Sequence, residues 1–169
     1  MQPRLARPAE AAAAVLAAIV LSGCGGPARP ARPAAGAADR EWVANATGVI
    51  DQLQTDVSSA TPAGSGLAGA RRSLHDLSDL YGLLVAYTDF GGCTRMIGGI
   101  GTAPPRYALV VTRLERACRG FEDAAVLFTR ATSRDNAHAL LAASREVKDA
   151  ASLLYRANLA FVAARSASS

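Results

Sequence analysis

The chain has 169 residues, of which 50% are hydrophobic but only 5% are aromatic. Alanine supplies the difference, and an alanine-rich chain that is poor in aromatic residues favours helices over strands. The formal net charge is +4, yet from residue 39 onward fourteen basic residues face thirteen acidic ones, a net charge of +1. So small a charge excludes the strongly basic surface typical of nucleic-acid-binding domains, and we predict no nucleic-acid partner.

The first 24 residues have the layout of a secretory signal peptide. A cationic lead, MQPRLAR, precedes the hydrophobic run Ala11–Leu21, and small residues stand before Cys24. A helix of this run would be roughly 16 Å long, about half the thickness of the hydrocarbon core of a bilayer. The run is therefore predicted to be the hydrophobic core of a signal peptide and not a membrane anchor.

The sequence Leu21-Ser22-Gly23-Cys24 resembles the lipobox of bacterial lipoproteins. The resemblance implies cleavage before Cys24 and diacylation of the Cys24 thiol with chains such as palmitate. The protein would then be extracytoplasmic and anchored to the bacterial cell membrane through the lipid on Cys24. The alternative is a cysteine that follows an ordinary signal peptide by chance.

Four segments are expected along the chain. They are the signal peptide (residues 1–23), the lipidated cysteine with a flexible Pro/Ala/Gly linker (24–38), a helical domain (39–165) and a frayed tail (166–169). Prolines recur every three residues in the linker, at Pro27, Pro30 and Pro33, which is the repeat of a polyproline II helix. At about 3.1 Å per residue such a linker would hold the domain up to roughly 40 Å from the membrane.

Apolar residues recur every seven positions in four stretches of the domain, which predicts an all-α, antiparallel four-helix bundle. The first helix is expected to begin at Asp39 as its cap and to stop at Thr61-Pro62, and the second to run over residues 66–89. The first stripe comprises Val43, Ile50 and Val57 with Ala46, Leu53 and Ala60 between them, and the second comprises Leu67, Leu74 and Tyr81 with Ala70, Leu77 and Leu84 between them. The large residues of the third and fourth stripes are Tyr107, Leu114, Phe121 and Phe128, and Leu140, Val147, Leu154 and Phe161.

The third and fourth stretches alternate these large residues with small ones. The small partners are Val110, Ala117, Ala124 and Ala131 in the third, and Ala143, Ala150, Ala157 and Ala164 in the fourth. Rows of alanine let two backbones approach closely, so we predict a tight antiparallel hairpin. Pro104-Pro105 is expected to open its first helix and Ser133 to cap its second. Residues 91–103, which precede the hairpin, are expected to form an irregular loop.

Two cysteines remain in the domain once Cys24 is assigned to lipid. Disulfides persist outside the cytoplasm, so a Cys93–Cys118 disulfide is predicted to pin the 91–103 loop to the third helix. Two buried free thiols and a redox pair are the alternatives. A redox pair is disfavoured because the spacing is not Cys-x-x-Cys.

Other candidate sites lack the partners that their chemistry requires. His75 has Asp79 one helical turn away but no nucleophile motif, and two histidines cannot form a three-histidine zinc site. Haem held by a histidine such as His138 and Met96 would resemble small exported haem bundles only in architecture. Gly99-Ile100-Gly101 is not preceded by a strand, which a dinucleotide-binding loop needs. We therefore predict no catalytic residue, cofactor or metal.

Charge is divided unevenly over the domain. Residues 39–92 carry three basic and seven acidic residues, a net charge of −4, whereas residues 93–169 carry eleven and six, a net charge of +5. Either the halves pack with complementary rims, or the basic half presents a face to an acidic partner or to lipid headgroups. Arg106, Arg113, Arg116 and Arg119 form a solvated face or a basic docking patch of the third helix.

These features predict a non-catalytic, membrane-anchored lipoprotein of the cell envelope that acts as a protein-interaction module. Its contacts would be the membrane, through Cys24, and an envelope protein partner. The alternative is a carrier that holds a small hydrophobic ligand, a lipid or haem in the bundle interior. In that case the row Tyr107, Phe121 and Phe128 would line a cavity if the bundle closes loosely near Tyr81.

Overall fold

The structure is a computed structural model, and it describes residues 35–62, 64 and 66–167. Within these ranges the chain is helical with no strand, so the predicted all-α class is confirmed. The helices are α1 (Ala35–Ser59), α2 (Leu67–His75), α3 (Leu77–Gly91), α4 (Cys93–Gly99), α5 (Ala108–Ser133) and α6 (Ala137–Ser166), and a 3-10 turn (Pro105–Tyr107) precedes α5. The predicted signal peptide, Cys24 and the linker up to residue 34 lie outside the described residues.

Helix α1 begins at Ala35, four residues before the predicted start at Asp39. Alanine has the highest helix propensity, and the alanines before Asp39 extend the helix. Asp39 therefore does not cap α1; its carboxylate instead forms an ion pair with Arg106, at 2.8 Å. The helix ends at Ser59, close to the stop predicted from Thr61-Pro62.

The buried face of α1 is turned by about one residue from the predicted stripe. Trp42 and Asp56 are buried where the pattern placed Val43 and Val57, which are only half-buried. A large indole gains more from burial than a valine, so the helix turns its aromatic residue inward. The remaining buried residues agree with the prediction: Ala46, Ile50, Leu53 and Ala60.

The predicted second helix is two helices. Asp76 has an extended backbone (φ −87°, ψ 118°), and its carboxylate accepts hydrogen bonds from the N–H groups of Ser78 (2.9 Å) and Asp79 (3.2 Å). An aspartate satisfies these otherwise unpaired donors better as an N-cap than inside a helix. The break changes the buried face, so Tyr81, which was predicted to lie in the core, is exposed.

The glycine-rich stretch after α3 was predicted to be irregular, and this is wrong for its first half, which forms α4. The carboxylate of Glu122 in α5 accepts a hydrogen bond from the N–H of Thr94 at 3.0 Å and so supports the first turn of α4. Irregular backbone follows the helix, and Gly101 has φ +92°, a conformation that favours glycine.

Helices α5 and α6 form the predicted hairpin. Every large and small residue of the two predicted rows is buried, except that Ala164 is half-buried. Arg113 Nη1 donates a hydrogen bond to the carbonyl of Arg156 at 2.8 Å, and a Cβ built at Gly120 would lie 3.0 Å from Ala150 Cβ. These pairs show two antiparallel helices in close approach, as the alanine rows predicted.

The turn of the hairpin differs from the prediction. Ser133 is the last residue of α5 and does not cap α6; the side chain of Asn136 does so, by accepting a hydrogen bond from the N–H of Ala139 at 3.1 Å. Asp135 precedes that cap with φ +47°, which aspartate tolerates better than most residues.

Candidate functional site

The predicted cysteine pair is brought together. Cys93 at the start of α4 and Cys118 in α5 are fully buried, their sulfurs are bonded, and their Cα atoms lie 5.2 Å apart. This separation is ordinary for a disulfide. Because α4 is helical, the bond joins two helices. The prediction that it pins an irregular loop to the third helix is therefore wrong.

The histidines are not brought into a catalytic or metal site. His75 Nε2 lies 3.5 Å from Asp135 Oδ2, and both side chains are exposed. The expected partner Asp79 instead accepts a hydrogen bond from Ser73 Oγ at 3.0 Å. His138 is exposed at the start of α6, whereas Met96 is half-buried in α4. Among the described residues, no group of three or more His, Cys, Asp or Glu side chains could hold a metal ion.

The three rings proposed as a cavity lining each stack on another aromatic ring. Phe121 stacks on Phe90, with ring centroids 4.5 Å apart, and Phe128 stacks on Tyr87 at 4.3 Å. Tyr107 is buried elsewhere, in a separate cluster with Trp42 and Phe161. One face of each of these rings is therefore covered by another aromatic ring.

Helix α3 is apolar on two faces. One face is buried in the core through Leu83, Ala86, Tyr87 and Phe90. The other carries large apolar side chains in solvent, which we call the α3 surface: Leu77 (84% exposed), Tyr81 (71%), Leu84 (45%) and Val85 (43%). Large apolar side chains that are grouped on an exposed face mark an interaction site, so the α3 surface is the candidate functional site.

A groove between α3 and α5 continues the α3 surface. It has a volume of about 710 Å³, with Leu84 and Thr88 on one wall and Val126 and Thr129 on the other. Val126 is itself half exposed. Tyr87 lies at its base, where its hydroxyl has no hydrogen-bond partner and burial raises the pKa of that hydroxyl well above its usual value.

The surroundings of the α3 surface are acidic. Asp79 and Asp89 lie in α3, Asp76 caps it and Glu122 lines the groove, whereas Arg95 is the basic residue in the described lining of the groove. An apolar surface with an acidic border favours a partner whose apolar residues are flanked by basic ones.

A buried carboxyl group lies where α1 packs on α3. Asp56 is 3% exposed, and Gln52 Nε2 donates hydrogen bonds to Asp56 Oδ1 at 3.1 Å and to Asp89 Oδ2 at 3.3 Å. Desolvation by burial, followed by the nearby charge of Asp89, raises the pKa of Asp56 to about 6. This group was not singled out in the sequence, because nothing in the local pattern distinguishes Asp56 from an exposed carboxylate.

Sequence reasoning also missed the α3 surface, since it assigned Leu77, Tyr81 and Leu84 to the core. The available signal was an excess: the helix LSDLYGLLVAYTDFG has more large apolar residues than one buried face can hold. A helix in a bundle needs only about three apolar positions in seven.

Comparison with known proteins gives no match to a protein-family model, a curated protein or a solved structure. In the part of the chain that the structure describes, no helix is long and apolar enough to cross a bilayer. The function is therefore inferred from the residues of the site themselves.

Proposed function

We propose that the protein is a non-catalytic, lipid-anchored protein-interaction module of the bacterial cell envelope, and that it docks its partner on the α3 surface. The observation that carries the proposal is that α3 has large apolar side chains on an exposed face as well as on its buried face. Burying large apolar side chains at an interface would remove their contact with water and stabilise the complex.

The proposed architecture is an antiparallel four-helix bundle whose second member is the broken pair α2–α3. The contacts between helices support it, because α1 packs on α3, α3 on α5, α5 on α6 and α6 on α1, which closes a ring. In this arrangement α3 has an exposed apolar face of four large residues, and α6 has a smaller one of three, Tyr155, Leu159 and Val162. The alanine rows of α5 and α6 leave no room between these two helices for a ligand.

The proposed anchor rests on the resemblance of Leu21-Ser22-Gly23-Cys24 to a lipobox. The close approach of Cys93 and Cys118 agrees with an extracytoplasmic site, where disulfides persist. Mass spectrometry of the protein extracted from bacterial membranes tests this part: we expect an N-terminal Cys24 that carries a diacylglyceryl group. An unmodified N-terminal residue, or retention of residues 1–23, would contradict the anchor.

The proposed occupant of the α3 surface is an amphipathic helix of an envelope protein, with basic residues beside its apolar stripe. The groove between α3 and α5 suits the apolar stripe of such a helix, and the carboxylates of Asp76, Asp79 and Asp89 suit its basic border. A second copy of this chain is the competing occupant, because residues 93–169 carry a net charge of +5.

Site-specific photo-crosslinking in intact cells tests the docking site. A photoreactive amino acid replaces Tyr81 on the α3 surface or, as the matched control, Tyr155, an exposed tyrosine on α6. We expect one discrete adduct from position 81 and none from position 155.

A binding measurement follows the crosslinking. The protein found in the adduct is purified, and its affinity is measured for the full chain and for the variant Leu77→Ser plus Leu84→Ser. We expect a loss of at least about tenfold, since apolar anchors at interfaces contribute that much or more.

Three outcomes would overturn the proposed docking site. Equal adducts at positions 81 and 155 would mean that the α3 surface is not selective. A self-adduct from position 81 would assign the surface to a second copy of this chain. An unchanged affinity of the double variant would place the docking site elsewhere.

A further inference from the structure

A second cleft lies at the end of the domain where α1 begins and α6 ends. Its volume is about 810 Å³, and arginines from three separate elements line it: Arg40 of α1, Arg106 of the 3-10 turn and Arg165 of α6. Among the lining residues that the structure describes, the acidic one is Asp39, whose carboxylate pairs with Arg106. These described side chains sum to a formal net charge of +2.

The cleft has an apolar wall beside these charges. Val43 and Ala44 of α1 and the buried ring of Tyr107 line it. The guanidinium carbon of Arg106 lies 5.0 Å from the ring centroid of Tyr107, and that of Arg165 lies 5.6 Å from that of Phe161. Such cation–π contacts orient guanidinium groups against aromatic rings.

The first turn of α1 adds positive potential to the same place. Gly36 lines the cleft, and a Cβ built on it would lie 3.9 Å from Arg40 Nη1, so this guanidinium lies beside the start of a 25-residue helix. First-turn N–H groups have no partner within the helix, and no acidic side chain lies in this turn. Guanidinium groups and helix N–H groups together form the donor set that binds phosphate.

We infer that this cleft, referred to below as the arginine cleft, binds the phosphate headgroup of an anionic amphiphile, with Arg40, Arg106 and Arg165 as the phosphate ligands. Val43, Ala44 and Tyr107 would contact the adjoining apolar part of the ligand. The arginine cleft shares no residue with the α3 surface, and its anion chemistry does not depend on the proposed docking function.

A membrane lipid is the favoured source of that phosphate. The cleft lies at the first turn of α1, and only residues 25–34 separate α1 from Cys24. If Cys24 carries lipid, as proposed above, anionic headgroups are within reach of the cleft. This choice of source rests on the proposed anchor, whereas the binding of phosphate itself does not.

Titration calorimetry on the full chain, in micelles of an uncharged detergent, tests the inference. The probes are dihexanoyl phosphatidylglycerol, dihexanoyl phosphatidylcholine and inorganic phosphate. The chain contains a single tryptophan, Trp42, whose ring stacks on Tyr107 with centroids 4.6 Å apart. Its fluorescence therefore reports whether a probe binds at the arginine cleft.

We expect saturable binding of the phosphatidylglycerol, a change in Trp42 fluorescence, and affinity that falls as salt is added. The variant Arg40→Gln plus Arg165→Gln should weaken binding at least tenfold. Arg145→Gln, which changes an exposed arginine of α6 outside the cleft, should leave it unchanged. Asp39→Asn should strengthen binding severalfold, because it releases Arg106 from its internal ion pair.

The remaining outcomes would overturn the inference in different ways. Equal affinity for inorganic phosphate would make this a site for small anions and not for an amphiphile. Equal affinity for phosphatidylcholine would mean that its apolar wall alone binds. The absence of saturable binding by all three probes, with the helical circular dichroism intact, would remove the site altogether. The Leu77→Ser plus Leu84→Ser variant should bind phosphatidylglycerol as the unsubstituted chain does. Failure of the proposed docking site can therefore be distinguished from failure of the arginine cleft.

Discussion

The α5–α6 hairpin and the α1–α3 pair are held by different kinds of contact. Helices α5 and α6 meet through alanine rows, and Gly120 lies so close to Ala150 that a side chain would be crowded there. Helices α1 and α3 meet beside the carboxyl groups of Asp56 and Asp89. One region is therefore stabilised by close apolar packing, whereas the other contains a buried group whose charge depends on pH.

The outer faces of the two regions also differ. The α3 surface is apolar with aspartates around it, whereas α6 exposes three large apolar residues, Tyr155, Leu159 and Val162, on a helix that also carries Arg156 and Arg165. The α3 surface of one copy could therefore associate with the exposed face of α6 of another copy, head to tail. Crosslinking from position 155 detects such an association. Both regions expose apolar area, so the charged residues around that area must distinguish the docking site.

Loss of the disulfide should have the largest effect on the stability of the domain. The bond closes a loop of 25 residues, and Cys93→Ser plus Cys118→Ser should lower the free energy of unfolding by about 3–4 kcal/mol in the chain-entropy model. Denaturant titration with and without reductant measures this loss. Hydrogen exchange should show α4 losing protection before α5 and α6, because the disulfide joins α4 to α5. Simultaneous loss would mean that other contacts hold α4 on the hairpin.

The pH dependence of stability should come from the α1–α3 side. The pKa of Asp56 is about 6 in the folded chain and 3.8 for a free aspartate, so the folded state holds this proton to higher pH. The stabilisation is complete below about pH 4 and is lost as the pH rises through about 6, by up to about 3 kcal/mol.

Denaturant titrations at several pH values test this expectation. Asp56→Asn should remove the fall in stability, because an amide cannot lose the proton. Asp51→Asn, which changes an exposed carboxylate of α1, is the matched control and should leave the fall in place. A fall of equal size in the Asp56→Asn variant would show that another group titrates.

Overpacking should damage the hairpin. Ala150→Leu places a large side chain against Gly120 and should cost about 1–3 kcal/mol of stability. Ser152→Leu, at an exposed position of α6, is the control and should have little effect. If the thermal midpoint of Ala150→Leu equals that of the unsubstituted chain, the close approach of α5 and α6 is wrong.

The smallest effect on stability is expected at the α3 surface. Tyr81→Ser should change the free energy of unfolding by no more than about 0.5 kcal/mol, because the ring is 71% exposed. Denaturant titration of the purified chain measures this change. A loss above about 1 kcal/mol would mean that Tyr81 packs within the folded chain, and it would contradict the proposed docking site.

Prediction from the sequence was most accurate for the hairpin and least accurate for α2 and α3. The seven-residue repeats of α5 and α6 predict the buried residues correctly because no capping side chain interrupts either helix. In the second stretch, Asp76 bonds to the N–H groups of Ser78 and Asp79, breaks the helix and shifts the buried face. A seven-residue repeat cannot show this, because capping competes with helix continuation through local hydrogen bonds.

The sequence by itself determined the helical class, the stop of α1 near Pro62 and the alanine rows of the hairpin, since propensity and spacing act over a few neighbouring residues. Tertiary structure alone decided which apolar face of α3 is buried, why the pKa of Asp56 is raised, and how Arg40, Arg106 and Arg165 come to share a cleft. These features depend on packing between residues far apart in the chain, and burial and electrostatic potential arise only when that packing forms.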